Sequence, residues 1–376
     1  MGSRYHITRK THRRHDLSLR HRWTIANDVG LGGGKIVCPV VFVELSDALG
    51  RNGLGEASPS SQYLESHETV SRFLHRVDPR HLSFDDVPGS MAYLESIAPG
   101  DFPAKCAVNL ALLDGASKGM GLPLHTFLGL DFPKPGPMTS FSIGIDRPEV
   151  MAAKAHEADA FPILKVKLGG NEDRKCFQAI RAAAPGKIIR VDANAAWTTR
   201  EQALENIAWL AADGRVEFVE QPMPPETSAI DTEWLKQRSP LPVFADESYH
   251  SAMDAHRVAQ GFHGVNVKLV KTGGATAAKA ALEAARAQGL ETMIGCMIES
   301  SVLISAAAHL AILADHLDLD GNLLVDNDPY QGVGCHKGRL EFNPGAASPT
   351  GIQIEPRQGA TPLFGSNSDG TGPAER

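Results

Sequence analysis

Cysteine is scarce in this chain of 376 residues: Cys38, Cys106, Cys176, Cys296 and Cys335, an odd number, widely scattered. No pair stands at CxxC or zinc-like spacing, which excludes a disulfide framework and a zinc site and points to a reducing compartment, the cytoplasm. A basic excess is also missing. The net charge of −7 implies neither a nucleic-acid nor an anionic-membrane partner, and no apolar run approaches the ~20 residues that a membrane span needs. The basic start MGSRYHITRKTHRRHD contains Arg13-Arg14, but no apolar stretch follows, so it does not read as a twin-arginine signal. An export signal already removed stays compatible with the sequence. With 42% hydrophobic and 22% charged residues, the composition is that of a globular protein, long enough for a large barrel plus a smaller domain.

The organising stretch is FPILKVKLGG, Phe161 to Gly170. An apolar run leads into Lys165-Val166-Lys167, and residues two apart on a strand share a face. Two ammonium groups side by side are hard to explain as packing, since lysines are almost never buried without a partner. Proximity and desolvation would instead lower a lysine pKa toward the range of a base.

The pattern continues down the chain. IIRVDANAAW ends in Asp192, VEFVEQPMP in Glu220, LPVFADES in Asp246 and GVNVKLVKTGG in Lys268. Counted from Lys167, the intervals are 25, 28, 26 and 22 residues, each about the length of a strand, a helix and two short loops. One polar residue per βα unit, at the carboxyl end of its strand, predicts convergence at the mouth of a (β/α)8 barrel. Eight strands are expected, from TSFSIGI to DHLDLD, with alanine-rich helices outside.

Before the barrel, residues 1–130 read as an α+β domain. HDLSLRHRWTIA and CPVVFVELSD alternate like strands. The glycine-rich segment between them, Asn27 to Lys35, fails the phosphate-loop pattern at Val29 and Ile36, and Lys35 breaks the dinucleotide fingerprint. It reads as a mobile loop or a plain surface hairpin. Gly53 to Ser60 reads as a second loop or an ordinary turn. SHETVSRFLHRV carries Ser66 as an N-cap, with Thr69 where a capping box would have Glu. PAKCAVNLALLDGASKGMG reads as a long amphipathic helix. The proline-rich 131–137 opens the barrel segment, 131–320. Residues 321–360 read as loops with a short returning strand, and 361–376 have the composition of a disordered tail.

From about Arg14 to about Ile354 these motifs resemble the enolase superfamily, in its muconate-lactonizing-enzyme-like branch, and look most like its dipeptide epimerases of the L-Ala-D/L-Glu type. The resemblance implies a modified TIM-type barrel under an α+β capping domain that the C-terminal segment completes. It also implies that both N-terminal loops close over the mouth and that the protein is a homo-oligomer.

Asp192, Glu220 and Asp246 are then the metal ligands. Three carboxylates without Cys or His suit a hard cation, one Mg²⁺ per subunit with Mn²⁺ as substitute. Glu247 is expected to face away from the metal and Lys271 away from the site. A bound divalent cation would stabilise the enediolate formed when a proton leaves the carbon beside a carboxylate. Lys167 and Lys268, on opposite sides of the barrel, would flank that carbon and invert it by 1,1-proton transfer. Lys165 would lower the pKa of Lys167 and contact the substrate carboxylate. By resemblance Asp318 and Asp320 pair with the α-ammonium of an L,L-dipeptide, and Ser142, Asn194, Cys296 and Ile298 line the substrate site. Cys296 stands where relatives often have serine. The alternatives are o-succinylbenzoate synthase, N-acylamino-acid racemase or cycloisomerase activity, whose substrates lack a free ammonium, and a metal-binding barrel without enzymatic role.

Overall fold

The computed structural model describes residues 6–29, 34–342 and 350–364. Four residues of the glycine-rich loop, 30–33, and most of the expected tail, 365–376, lie outside the described residues. The chain opens with three antiparallel strands, β1 (Ile7–Trp23), β2 (Lys35–Asp47) and β3 (Asn52–Ala57), in the order β1-β2-β3. Helices α1 (His67–Arg76), α2 (Val87–Ile97) and α3 (Phe102–Gly119) follow. Eight parallel strands come next, each hydrogen-bonded to its neighbour in chain order. These are β4 (Phe141–Ile143), β5 (Ile163–Lys167), β6 (Ile188–Asp192), β7 (Val216–Glu220), β8 (Val243–Ala245), β9 (Gly264–Val267), β10 (Glu291–Gly295) and β11 (His316–Asp318). A parallel bridge from Thr139 to Leu317 brings the last strand back to the first and closes the barrel.

Helix α3 differs from the amphipathic expectation, because it is buried from Pro103 to Ser117 on every side. The strand β3 rides directly on it. A Cβ at Gly53 would stand 1.9 Å from Ala111 O, and one at Gly55 2.0 Å from Ala107 O. One helical turn and two strand residues both advance about 6 Å, so two glycines at i, i+2 match two alanines at i, i+4. Gly53 to Ala57 is therefore strand, and the second loop begins at Ser58. In α1 the Thr69 hydroxyl accepts from Ser66 N (3.0 Å) while Ser66 Oγ accepts from Thr69 N (3.4 Å), so threonine completes the capping box.

The outer helices follow from composition: Ala275–Ala287 buries Ala278, Ala281, Leu282 and Ala285, small enough to lie close to the sheet. Inside, alternation sets layers. The lower layer holds Arg190, Phe218, Phe244, Met293 and His316. The Phe218 and Phe244 rings stack at 4.1 Å, and the Arg190 guanidinium lies 5.4 Å over Phe218 while donating to Glu217 (2.6 Å) and Leu317 O (2.8 Å). This layer plugs the barrel floor.

The C-terminal segment returns to the N-terminal sheet through a Leu19–Val325 bridge and a hydrogen bond from Asp326 N to Ser18 O (2.9 Å). Leu363 and Phe364, in the stretch expected to be disordered, pack against the core. One carboxylate joins cap to barrel. Glu56, at the end of β3, is fully buried and accepts from Ser300 N (2.9 Å), Ser300 Oγ (2.5 Å) and Leu303 N (3.1 Å), at the start of the helix Ser301–Ala308. Replacing it by alanine strands these donors away from water. Glu56→Ala should lower the unfolding free energy by about 3 kcal/mol in denaturant titration, and Glu56→Gln by less. A loss below about 0.5 kcal/mol for the alanine variant would show that this contact does not hold the cap.

Candidate active site

The carboxyl ends of the barrel strands converge as their spacing predicts. The carboxylates of Asp192, Glu220 and Asp246 are buried and offer oxygens within 4.8 Å of one another. Asp192 and Glu220 end their strands, and Asp246 follows β8 directly. Just past these ends the backbone takes left-handed conformations: Asn194 has φ +41°, Ala195 +63° and Gln221 +35°. Such conformations are costly for residues other than glycine and gather where a site over-determines the chain. Asp192 Oδ1 accepts from Asn194 N (2.9 Å), and Glu220 Oε1 accepts from Asn266 Nδ2 (2.8 Å).

The lysines stand around this triad. Lys167 Nζ donates to Asp192 Oδ2 (2.5 Å), and Lys268 Nζ donates to Asp246 Oδ2 (2.7 Å). They therefore lean on opposite ends of the triad. Lys165 sits lower. It is 1% exposed and lies 2.8 Å from Glu220, 2.8 Å from Asp318 and 3.4 Å from Asp192. Like the triad itself, it lies beneath the cavity rather than on its wall. Burial opposes its charge, but Asp318, Glu220 and Asp192 together hold Lys165 well above the ordinary ammonium value. Lys268 is likewise raised: burial opposes, and Asp246 prevails. Each of these two amines faces carboxylates rather than only another lysine.

Two residues expected to face away instead join the site. The strand ends at Ala245, so period-2 alternation no longer applies to Glu247. Its Oε1 accepts from Gln62 Nε2 of the capping domain (2.6 Å) and from Asn194 Nδ2 (3.4 Å). Lys271 lies on the short helix Leu269–Thr272, which turns its ammonium back onto Asp246 Oδ1 and onto Asn266 O (3.1 Å).

Asp192, Glu220, Asp246, Glu247, Asp318 and Asp320 are six buried carboxyl groups, with Lys165, Lys167, Lys268 and Lys271 as four buried amines among them. The formal excess is two negative charges. Asn194 Oδ1 and Glu247 Oε2 are buried acceptors with no hydrogen-bond partner. An all-oxygen donor set with that charge balance fits a hard divalent cation. The cluster also resists full ionisation by itself. Burial and Asp192 push Glu220 up to about 8, whereas Lys268 and Lys271 overcome burial to hold Asp246 well below the carboxylate range.

Beside the triad, Asp318 ends β11 and Asp320 opens the next turn, so they do not share one strand face. Ser142 draws them together. Its Oγ lies 3.2 Å from Asp318 Oδ1 and 3.3 Å from Asp320 Oδ1, and its N donates to Asp320 Oδ2 (2.5 Å). Lys165 outweighs burial to hold Asp318 down at about 2, while burial and Asp318 push Asp320 up to about 7. A cavity of about 430 Å³ lies above. Lys167, Lys268, Asn194, Ser142, Asp318 and Asp320 reach it from the barrel, with Cys296 and Ile298 on one wall. Trp23, Ile25, Lys35 and Ser58 to Gln62 reach it from the capping domain. Cys296 Sγ stands 3.9 Å from Asp320 Oδ1, with its thiol pushed well up by burial. Ile298 contributes its carbonyl as acceptor for Ser58 Oγ (2.8 Å).

Comparison with known proteins gives the family. Residues 150–350 match the family described as Enolase C-terminal domain-like. The L-Ala-D/L-amino acid epimerase of Pedosphaera parvula is 53% identical over 327 residues, covering 87% of this chain and 94% of its own length. The L-Ala-D/L-Glu epimerase of Bacteroides thetaiotaomicron is 40% identical over 334 residues, 88% of this chain and 84% of its own. The crystal structure of the dipeptide epimerase from Cytophaga hutchinsonii, complexed with Mg and the dipeptide D-Ala-L-Val, superposes with a TM-score of 0.84 at 28% identity, over 94% of this chain and 97% of that one. The chain therefore belongs to the enolase superfamily, through its Enolase C-terminal domain-like family, and within it resembles the dipeptide epimerases.

Proposed function

We propose that this chain is a Mg²⁺-dependent dipeptide epimerase, inverting the α-carbon of the C-terminal residue of an L,L-dipeptide. The observation that carries the reading is the placement of Lys167 and Lys268 at opposite ends of one carboxylate triad, beside a second, paired set of aspartates. Asp192, Glu220 and Asp246 would hold the metal. Bound there, Mg²⁺ supplies a Lewis acid for the negative charge that develops on the substrate carboxylate, and Mn²⁺ suits the same donors.

The rest is done by the chain. Asp318 and Asp320 bind the dipeptide's α-ammonium, which fixes the far end of the substrate. The C-terminal α-carbon then lies between the two lysine amines. One lysine, neutral, removes the α-proton; the other, protonated, delivers a proton to the opposite face. Each amine has a carboxylate beside it to pair with when protonated, Asp192 for Lys167 and Asp246 for Lys268. Burial under the capping domain keeps bulk water from the carbanionic carbon. A cytoplasmic location is part of the proposal, in keeping with five free cysteines, and the homo-oligomer implied by resemblance is carried forward with it.

Incubating a dipeptide library in D₂O with protein and Mg²⁺ should add one dalton to particular dipeptides, and a chelator should abolish the gain. Deuterium in N-acylamino acids alone would move the assignment to a racemase of acylated substrates. Lys268→Ala should lower epimerisation by at least about 10³-fold while exchange from one epimer persists; turnover within twofold of the parent would defeat the two-lysine scheme. Ionised Asp320 is the form that attracts an ammonium. Because its value is about 7, kcat/KM for dipeptides should fall as pH drops below about 7, up to about tenfold per unit, and Asp320→Asn should flatten that limb. An identical limb in the variant would assign it to another group.

A further inference from the structure

Gln221, directly after Glu220, has no role in the scheme above. It is fully buried, sits at φ +35°, and every hydrogen-bonding position of its amide is engaged. Its Oε1 accepts from Asp246 N (2.9 Å) and Ser248 N (3.2 Å). Its Nε2 donates to Met223 O (2.8 Å) and Ser248 Oγ (2.9 Å). Its backbone N donates to Phe244 O (2.8 Å), and its carbonyl accepts from Ala195 N (2.8 Å), three residues beyond Asp192. One residue thus ties together the chain beyond all three carboxylates of the triad. An amide suits this task because it carries two donors and two acceptor positions without charge. A carboxylate here would add to a cluster already in excess of negative charge.

We infer that Gln221 is a positioning residue that fixes the spacing of Asp192, Glu220 and Asp246 for the cation, by bonding β7 to the loops after β6 and β8. The inference rests on the proposed reading of the triad as a Mg²⁺ site. The positive φ supports it. A residue other than glycine persists in that region when its surroundings over-determine it, and the five partners named here are those surroundings. A residue that only filled space would need neither the conformation nor four satisfied amide positions.

The test is calorimetric titration of Mg²⁺ into the metal-free full-length chain, with melting curves with and without Mg²⁺. Gln221→Met keeps length and volume but removes the amide. It should weaken Mg²⁺ binding at least about tenfold and shrink the Mg²⁺-dependent rise in Tm. Should that variant not fold, Gln221→Asn, whose amide falls one methylene short, gives the same reading. Either variant binding Mg²⁺ within twofold of the parent, with only a lower metal-free Tm, would make Gln221 a packing residue and overturn the inference. A parent chain that binds no Mg²⁺ would instead sink the metal reading itself, and the inference with it.

Discussion

The barrel mouth depends on balancing buried charge. Carboxylates and ammoniums withdrawn from water cost several kcal/mol each unless paired at close range. Six carboxyl groups and four amines share one small volume here, so no member's state can be understood alone. Lys165 shows this best. It holds Asp318 down at about 2, yet Glu220, equally close, stays high because burial and Asp192 act against it. Moving one charge would alter the protonation of all the rest.

The scaffold gives that cluster its precision by two means. Short strands end at or just before each functional group, and left-handed residues then turn the chain away. From above, Glu56, Ser58 and Gln62 tie the capping domain to the barrel loops. The Gln62–Glu247 bond joins the second capping loop to a carboxylate adjoining Asp246.

Much of this was readable in the sequence because period-2 alternation and βα spacing are local properties. They predicted the eight strands and the strand-end positions of Lys167, Asp192, Glu220, Asp246 and Lys268, whereas the Asp318–Asp320 pair came from the family resemblance. What escaped lies just past a strand end or across a domain boundary. Glu247 and Lys271 stand two and four residues beyond their strands, where alternation has lapsed and the direction of a side chain depends on the turn. Lys165 obeyed alternation, but its surroundings come from β6, β7 and β11, far away in sequence. The strand Gly53 to Ala57 was taken for a loop because its glycines carry no β-propensity; their reason is the helix backbone of α3 pressed against them. The burial of α3 all round comes from β2 and β3 together with α1, α2 and the barrel helices Leu269–Thr272 and Ala275–Ala287.

The plugged floor bears on how protons travel. Phe218, Phe244, Met293 and the Arg190 guanidinium fill the lower barrel, so a proton held on a lysine leaves by the mouth, past the cap. In isotopic terms, the floor makes the barrel a dead end: a hydrogen taken up by a lysine has one way out to solvent, and that way leads past the bound molecule it came from.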